Sequence, residues 1–168
     1  EKLADTSGNN QSASIFYKEN ITNAPTVITA TFNNTPAYRG LTATELGGVA
    51  TASFDGEKGA YQPTPGTGAN GVTSGNVTPT QNNDYIYGVG FSTGDLNIPT
   101  AGTGFSNVGV SDGGTDVAFR SEGLTQGGAV AISATFTATA NVDHISFVAA
   151  FKIGGATAAL TGTVTTAV

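Results

Sequence analysis

Residues 129–153, AVAISATFTATANVDHISFVAAFKI, constrain the fold more than any other stretch of the chain. Val130, Ile132, Ala134, Phe136 and Ala138 alternate with Ala129, Ala131, Ser133, Thr135, Thr137 and Thr139. After a short break, Ile145, Phe147, Ala149, Phe151 and Ile153 alternate with His144, Ser146, Val148, Ala150 and Lys152. A period of two places each set on one face of a strand, whereas helical geometry would scatter them round a cylinder. The pattern predicts two long core strands with a turn over residues 141–143. It also predicts that Phe136, Phe147 and Phe151 are almost fully buried.

The same reading extends along the chain. Residues 11–18 form a strand with Ala13, Ile15 and Tyr17 on one face, and residues 26–32 (TVITATF) follow a helix-interrupting Pro25 as another. Residues 38–46 tolerate a short helix, but Thr42 and Thr44 favour a strand, which resumes at 49–54 after Gly47-Gly48. Residues 55–75, DGEKGAYQPTPGTGANGVTSG, read as a long irregular surface excursion, with Val72 and Val77 marking a short strand near its end. Residues 84–92 place Tyr85, Tyr87, Val89 and Phe91 on one face and glycines on the other, where a second layer approaches closely. Residues 103–111 and 115–122 make a hairpin through Asp112-Gly113-Gly114. The expected fold is all-β, an antiparallel β-sandwich of jelly-roll-like form, with an immunoglobulin-like sandwich as the alternative.

Composition narrows the class of protein. A chain of 168 residues suits one domain that buries roughly 70% of its unfolded surface. It has no cysteine, hence no disulfide and no thiolate metal site. Charged residues make up only 11%, so solvation falls to Thr, Ser, Asn and Gly. A net charge of −6 with 6 basic residues argues against a nucleic-acid partner. No apolar run reaches the ~20 residues of a membrane helix. Low charge with abundant Thr, Gly and Ala is the composition of exported β-proteins, which points to an extracellular, cell-surface or virion-surface location.

Four motifs then fall in a recognisable order: SIFYKENIT, LTATELGGVATASFDG, SGNVTPTQNNDYIYGVGF and FVAAFKI. Over Leu3 to Ile153 the chain resembles a module of bacterial and phage-associated surface proteins. Phe16, Tyr17, Asn20, Glu45, Gly48, Val49, Asn83, Asp84 and Ala149 to Lys152 carry the resemblance. It implies a jelly-roll-like sandwich used as a spacer or adhesive unit, with no catalytic residues to carry over. Such modules begin with strands ahead of the segment matching Glu1 to Asp5, so residues 1–153 are expected to lack the module's first strands. Residues 154–168 stand apart behind Gly154-Gly155 as an extension strand or the start of a following domain.

No catalytic motif emerges. His144 is the single histidine and reads as a surface or edge residue. No serine sits in a Gly-x-Ser-x-Gly elbow, and Glu19, Glu45, Glu57 and Glu122 show no paired arrangement for glycoside hydrolysis. Asp84, Asp95, Asp112 and Asp116 lie in or beside turns where calcium could be held, but ordinary turn chemistry accounts for them, so no cofactor is expected. Asn10, Asn20, Asn33 and Asn76 each head an Asn-x-Ser/Thr triplet. Tyr61, in the expected excursion, is the candidate for carbohydrate contact. The expected role is that of a non-enzymatic structural subunit assembling through strand contacts with itself or with neighbouring modules. A carbohydrate-binding or adhesion module is the alternative. Leu160, Gly162, Val164 and Val168 are the candidate assembly residues, in a tail that adds as a strand to a neighbouring copy.

Overall fold

The computed structural model describes residues 2–8, 11–23, 25–32, 41–63, 68–93, 100–112, 117–139, 143–154 and 162–167. Twelve strands and no helix occur among them: β1 (Lys2–Gly8), β2 (Gln11–Phe16), β3 (Leu41–Leu46), β4 (Val49–Gln62), β5 (Gly68–Thr73), β6 (Tyr85–Thr93), β7 (Thr100–Ala101), β8 (Ser106–Asp112), β9 (Val117–Thr125), β10 (Thr135–Ala138), β11 (His144–Ile153) and β12 (Gly162–Ala167). Every pairing is antiparallel. A five-stranded sheet, β4-β11-β6-β9-β8, faces a three-stranded one, β5-β10-β7, and the protein is a β-sandwich. From β4 to β11 the chain passes repeatedly between the two sheets, so strands adjacent in space are mostly remote in sequence.

Between the sheets lies one apolar core. Ile86, Val148 and Ala150 from the large sheet meet Val72, Phe136 and Ala138 from the small one, with Val77 and Ala134 closing the layer. A second cluster sits on the opposite face of the large sheet. There Tyr87, Ala149 and Phe151 are covered by Ile15 and Tyr17 from the β1–β2 side and by Leu46 of β3. Tyr17, Phe54 and Phe151 pack as an aromatic trio, with Tyr17 stacked on Phe54 at 5.1 Å between ring centroids.

This two-sided cover explains β11. Phe136, Phe147 and Phe151 are buried as expected, but so is the alternate face of β11, His144, Ser146, Val148 and Ala150. His144 is therefore an interior residue, correcting its reading as a surface or edge histidine. Gly88 of β6 behaves as the sequence implies. A Cβ on Gly88 would stand 2.6 Å from the Ala134 Cβ and 2.8 Å from the Glu122 Cγ, so only a glycine lets the layers approach this closely.

Three boundaries differ from expectation. Residues 55–62 continue β4 rather than leaving the sheet, pairing with β11 from Gly56 opposite Ala150 to Gln62 opposite His144. Gly59 lies opposite Phe147, and a Cβ there would fall 2.5 Å from the phenyl ring, so the ring lies over bare backbone. The first core strand is short: only residues 135–138 enter the ladder, while Ile132 makes an isolated bridge to Val77 and Val130 is exposed. Residues 26–32 form no strand, and all are exposed.

Candidate functional site

At one end of the inter-sheet core the side chains turn from apolar to charged. Asp55 of β4, Asp84 at the entry to β6 and Lys152 near the end of β11 meet there. They are brought together by the register that sets Phe151 opposite both Phe54 and Tyr85. The Lys152 ammonium lies 2.9 Å from Asp55 Oδ1; the Asp55 side chain is 3% exposed and that of Lys152 30%. Thr80 closes the cluster, its N–H donating to Asp55 Oδ2 at 2.5 Å and its hydroxyl to Oδ1 at 2.6 Å. Burial opposes ionisation of Asp55, but the Thr80 hydroxyl, Lys152 and the Thr80 N–H outweigh it and hold the carboxyl well below the usual carboxylate range.

Asp84 is the counterpart. It is fully buried, and burial together with Asp55 beside it pushes its carboxyl up to about 6, against the pull of Gln81 and Lys152. Two ionised carboxylates offer each other only acceptors. Neither Asp84 oxygen has a partner within hydrogen-bond geometry among the described residues, although the Gln81 side chain stands close enough to lower its value. Below about pH 6 Asp84 holds a proton that it can share with Asp55. The arrangement is an ionised acid held by a lysine, with a second acid of raised value against it.

A second buried carboxylate ties the sheets together. Glu122 of β9 is fully buried, with Oε1 accepting the Thr135 N–H at 2.8 Å and Oε2 the Gly102 N–H at 2.9 Å. Burial raises its carboxyl to about 7, and the two N–H donors work in the opposite direction. Beyond Glu122 the inner face of the large sheet carries Ser92 directly opposite His144, and Ser146 one row further along. The Ser92 and Ser146 hydroxyls are fully buried and make no hydrogen bond among the described residues. Although seryl, imidazole and carboxyl groups share this face, they are closed off from solvent, so the row presents no surface to a substrate.

The outer edge of β4 is also occupied. Glu19 Oε1 accepts the Ser53 N–H at 2.6 Å, the Ser53 hydroxyl at 2.8 Å and the Phe54 N–H at 2.9 Å. These bonds, the Phe54 N–H foremost, hold the Glu19 carboxyl below its usual value. Asn20 Nδ2 donates to the Thr51 carbonyl at 2.9 Å. Two side chains thus satisfy edge groups that would otherwise invite a further strand.

The residues expected from sequence lie elsewhere. Tyr61 belongs to β4, not to a loop; it is half-buried, and its hydroxyl donates to Asp143 Oδ2 at 3.0 Å. Gly162 and Val164 lie in β12, which pairs with β3 of the same chain, Gly162 opposite Leu46 and Val164 opposite Thr44. The receiver of this strand is its own chain, which corrects the expectation of donation to a neighbouring copy. Leu160 and Val168 lie outside the described residues, as do Asp95 and Asp116. Asp112 ends β8, and Asp84, considered for calcium, instead faces Asp55 beside the Lys152 ammonium. Among the described residues no three His, Cys, Asp or Glu side chains gather at one point.

Sequence reading missed Asp55, Thr80 and Lys152 as a unit because the three are dispersed over three remote segments. Compared with protein-family models, with curated proteins and with solved structures, the chain matches none.

Proposed function

We propose that this chain is a non-enzymatic structural module of an extracellular filament or virion projection, assembling through β-strand contacts with copies of itself or neighbouring modules. The observation that carries this reading is the segment over residues 25–32. It has the composition of a strand, and from Ile21 to Tyr38 the sequence contains no charge. Yet it pairs with nothing among the described residues, and Val27, Ile28 and Phe32 are 75%, 55% and 46% exposed. On the preceding stretch of chain Phe16 and Ile21 are also exposed, at 67% and 47%. Exposure of several large apolar side chains along one stretch supports an interaction role. A β-branched, uncharged segment whose backbone joins no ladder among the described residues is chemically suited to join a sheet edge. The second copy is the occupant chosen here, since an all-β partner supplies both edge groups and apolar side chains. The motif order, which resembles that of surface-protein modules, is in keeping with this reading.

Sedimentation velocity over a concentration series, with electron microscopy of the same samples, tests it on the full chain and on Ile28→Lys. The chain is expected to form oligomers or filaments, and the variant to remain monomeric with unchanged melting, because Ile28 is 55% exposed and belongs to no strand among the described residues. A chain that stays monomeric throughout, or a variant that assembles equally well, overturns the proposal.

A further inference from the structure

We propose that Lys152 and Asp55 condense to an intramolecular isopeptide bond, with Asp84 as the acid–base group of the reaction. The Lys152 ammonium already lies against the Asp55 carboxyl. Lys152 Nζ lies 2.9 Å from Asp55 Oδ1, and the two residues sit on adjacent antiparallel strands, β11 and β4, whose ladder fixes their separation. Holding a nucleophile and an acyl group at such a distance converts a bimolecular condensation into an intramolecular one, with effective molarities on the order of 10⁵ M or more for well-oriented pairs. Thr80 donates its N–H to Oδ2, where negative charge develops when the carbonyl is attacked, and its hydroxyl to Oδ1, the oxygen that leaves. Asp84 is buried against the same carboxylate and, with its value raised to about 6, can both give a proton to a carboxylate oxygen and take one back.

The step balances without a co-reactant. The Lys152 ammonium passes one proton to the Asp55 carboxylate, giving amine and carboxylic acid. The Nζ lone pair attacks Cγ, and the carbonyl π pair moves onto Oδ2. Asp84 protonates that oxygen and takes a proton from Nζ, then returns it to the departing Oδ1. The Cγ–Oδ1 bond breaks and one water leaves, Oδ2 re-forms the carbonyl and returns its proton to Asp84, and an amide joins Nζ to Cγ. Asp84 ends as it began, protonated. Three features separate this cluster from an ordinary surface ion pair. The acyl carbon's side chain is almost wholly buried, a second and fully buried acid stands against it, and an N–H points at the oxyanion position. Exposed Lys–Asp pairs have none of these and exchange freely with water.

Mass spectrometry of the purified full chain decides the matter. The intact chain, folded and held near the Asp84 value of about 6, is expected to be one water lighter than its sequence. Digestion is expected to release a branched peptide joining the segment of Asp55 to that of Lys152. Fragment spectra must place the loss on these two residues, because an N-terminal glutamate also loses one water on cyclisation. Lys152→Arg and Asp84→Asn are each expected to restore the full mass at this position. An intact chain at full mass overturns the proposal, as does a water loss mapped elsewhere or one that persists in Lys152→Arg. The wild-type measurement stands alone if a variant fails to fold.

Discussion

Replacing Glu122 by glutamine tests how the two sheets are held together. Glu122 has a folded-state value of about 7 against an ordinary 4.5, a shift that stabilises the protonated folded form. At 1.36 kcal/mol per unit, the carboxyl contributes about 3 kcal/mol of pH-dependent stability. The direction follows from the raised value. The folded chain binds this proton more tightly than the unfolded chain, so the contribution is complete below pH 4.5 and is lost as pH rises through 7. Glutamine cannot ionise, and its amide accepts only one of the two N–H groups, leaving the other facing an NH₂ at a cost of about 1–3 kcal/mol. Above pH 7 that cost is offset by the absence of a buried charge, so the variant lies close to wild type; below pH 4.5 it is clearly less stable. Urea denaturation across this range should show the difference between the two proteins shrinking as pH rises. The change corresponds to roughly 1–2 M in midpoint for a typical slope. The comparison cancels the contributions of Asp55 and Asp84, which the two proteins share. Parallel stability curves from pH 4.5 to 7 would falsify the account of Glu122 as a desolvated carboxyl.

Two further substitutions probe the packing. Phe136→Ala, at a fully buried ring between the sheets, should cost ~3–5 kcal/mol in chemical denaturation through lost burial and a cavity; a loss under ~1 kcal/mol would mean the sheets close over the gap. Gly88→Val must push apart Ala134 and Glu122, and a destabilisation of about 1–3 kcal/mol or more is expected from such overpacking. An unchanged melting temperature would show that the layers are farther apart there than the structure places them.

How much of this was legible in the sequence differs from strand to strand. The alternation in β6 and β11 is a direct record of pleated backbone, and the large aromatics report burial faithfully. Where alternation failed, it failed for identifiable reasons. Residues 26–32 have the residue types of a strand, but a strand exists only when its ladder is filled, and a single sequence does not state its partner. The second half of β4, DGEKGAYQ, has the glycines and charges of a loop. Gly59 is there to receive the Phe147 ring, and Asp55 is neutralised by Lys152, both relations across the sheet that local reading cannot see. On β11, alternation alone assigns His144 and Ser146 to an outward face, because it distinguishes two faces without saying whether both are covered. With both faces of the sheet covered, polar residues lie inside as well. The charged cluster was hidden for a related reason: Asp55, Asp84 and Lys152 become neighbours only once the sheet order is known.

The order of the large sheet has a consequence for synthesis. β11 lies between β4 and β6, yet it is the last of that sheet's strands to leave the ribosome. At roughly 5–20 residues per second, β4 waits on the order of 5–20 s for the strand that completes its ladder. During that interval Phe54, Tyr85 and Tyr87 have no Phe151 to pack against, and the nascent chain presents aromatic strands with open edges. Glu19 and Asn20 emerge before β4 and bond to its edge backbone at Thr51, Ser53 and Phe54. The chain thus supplies a cover for one side of β4 before the strand destined for the other side has been made.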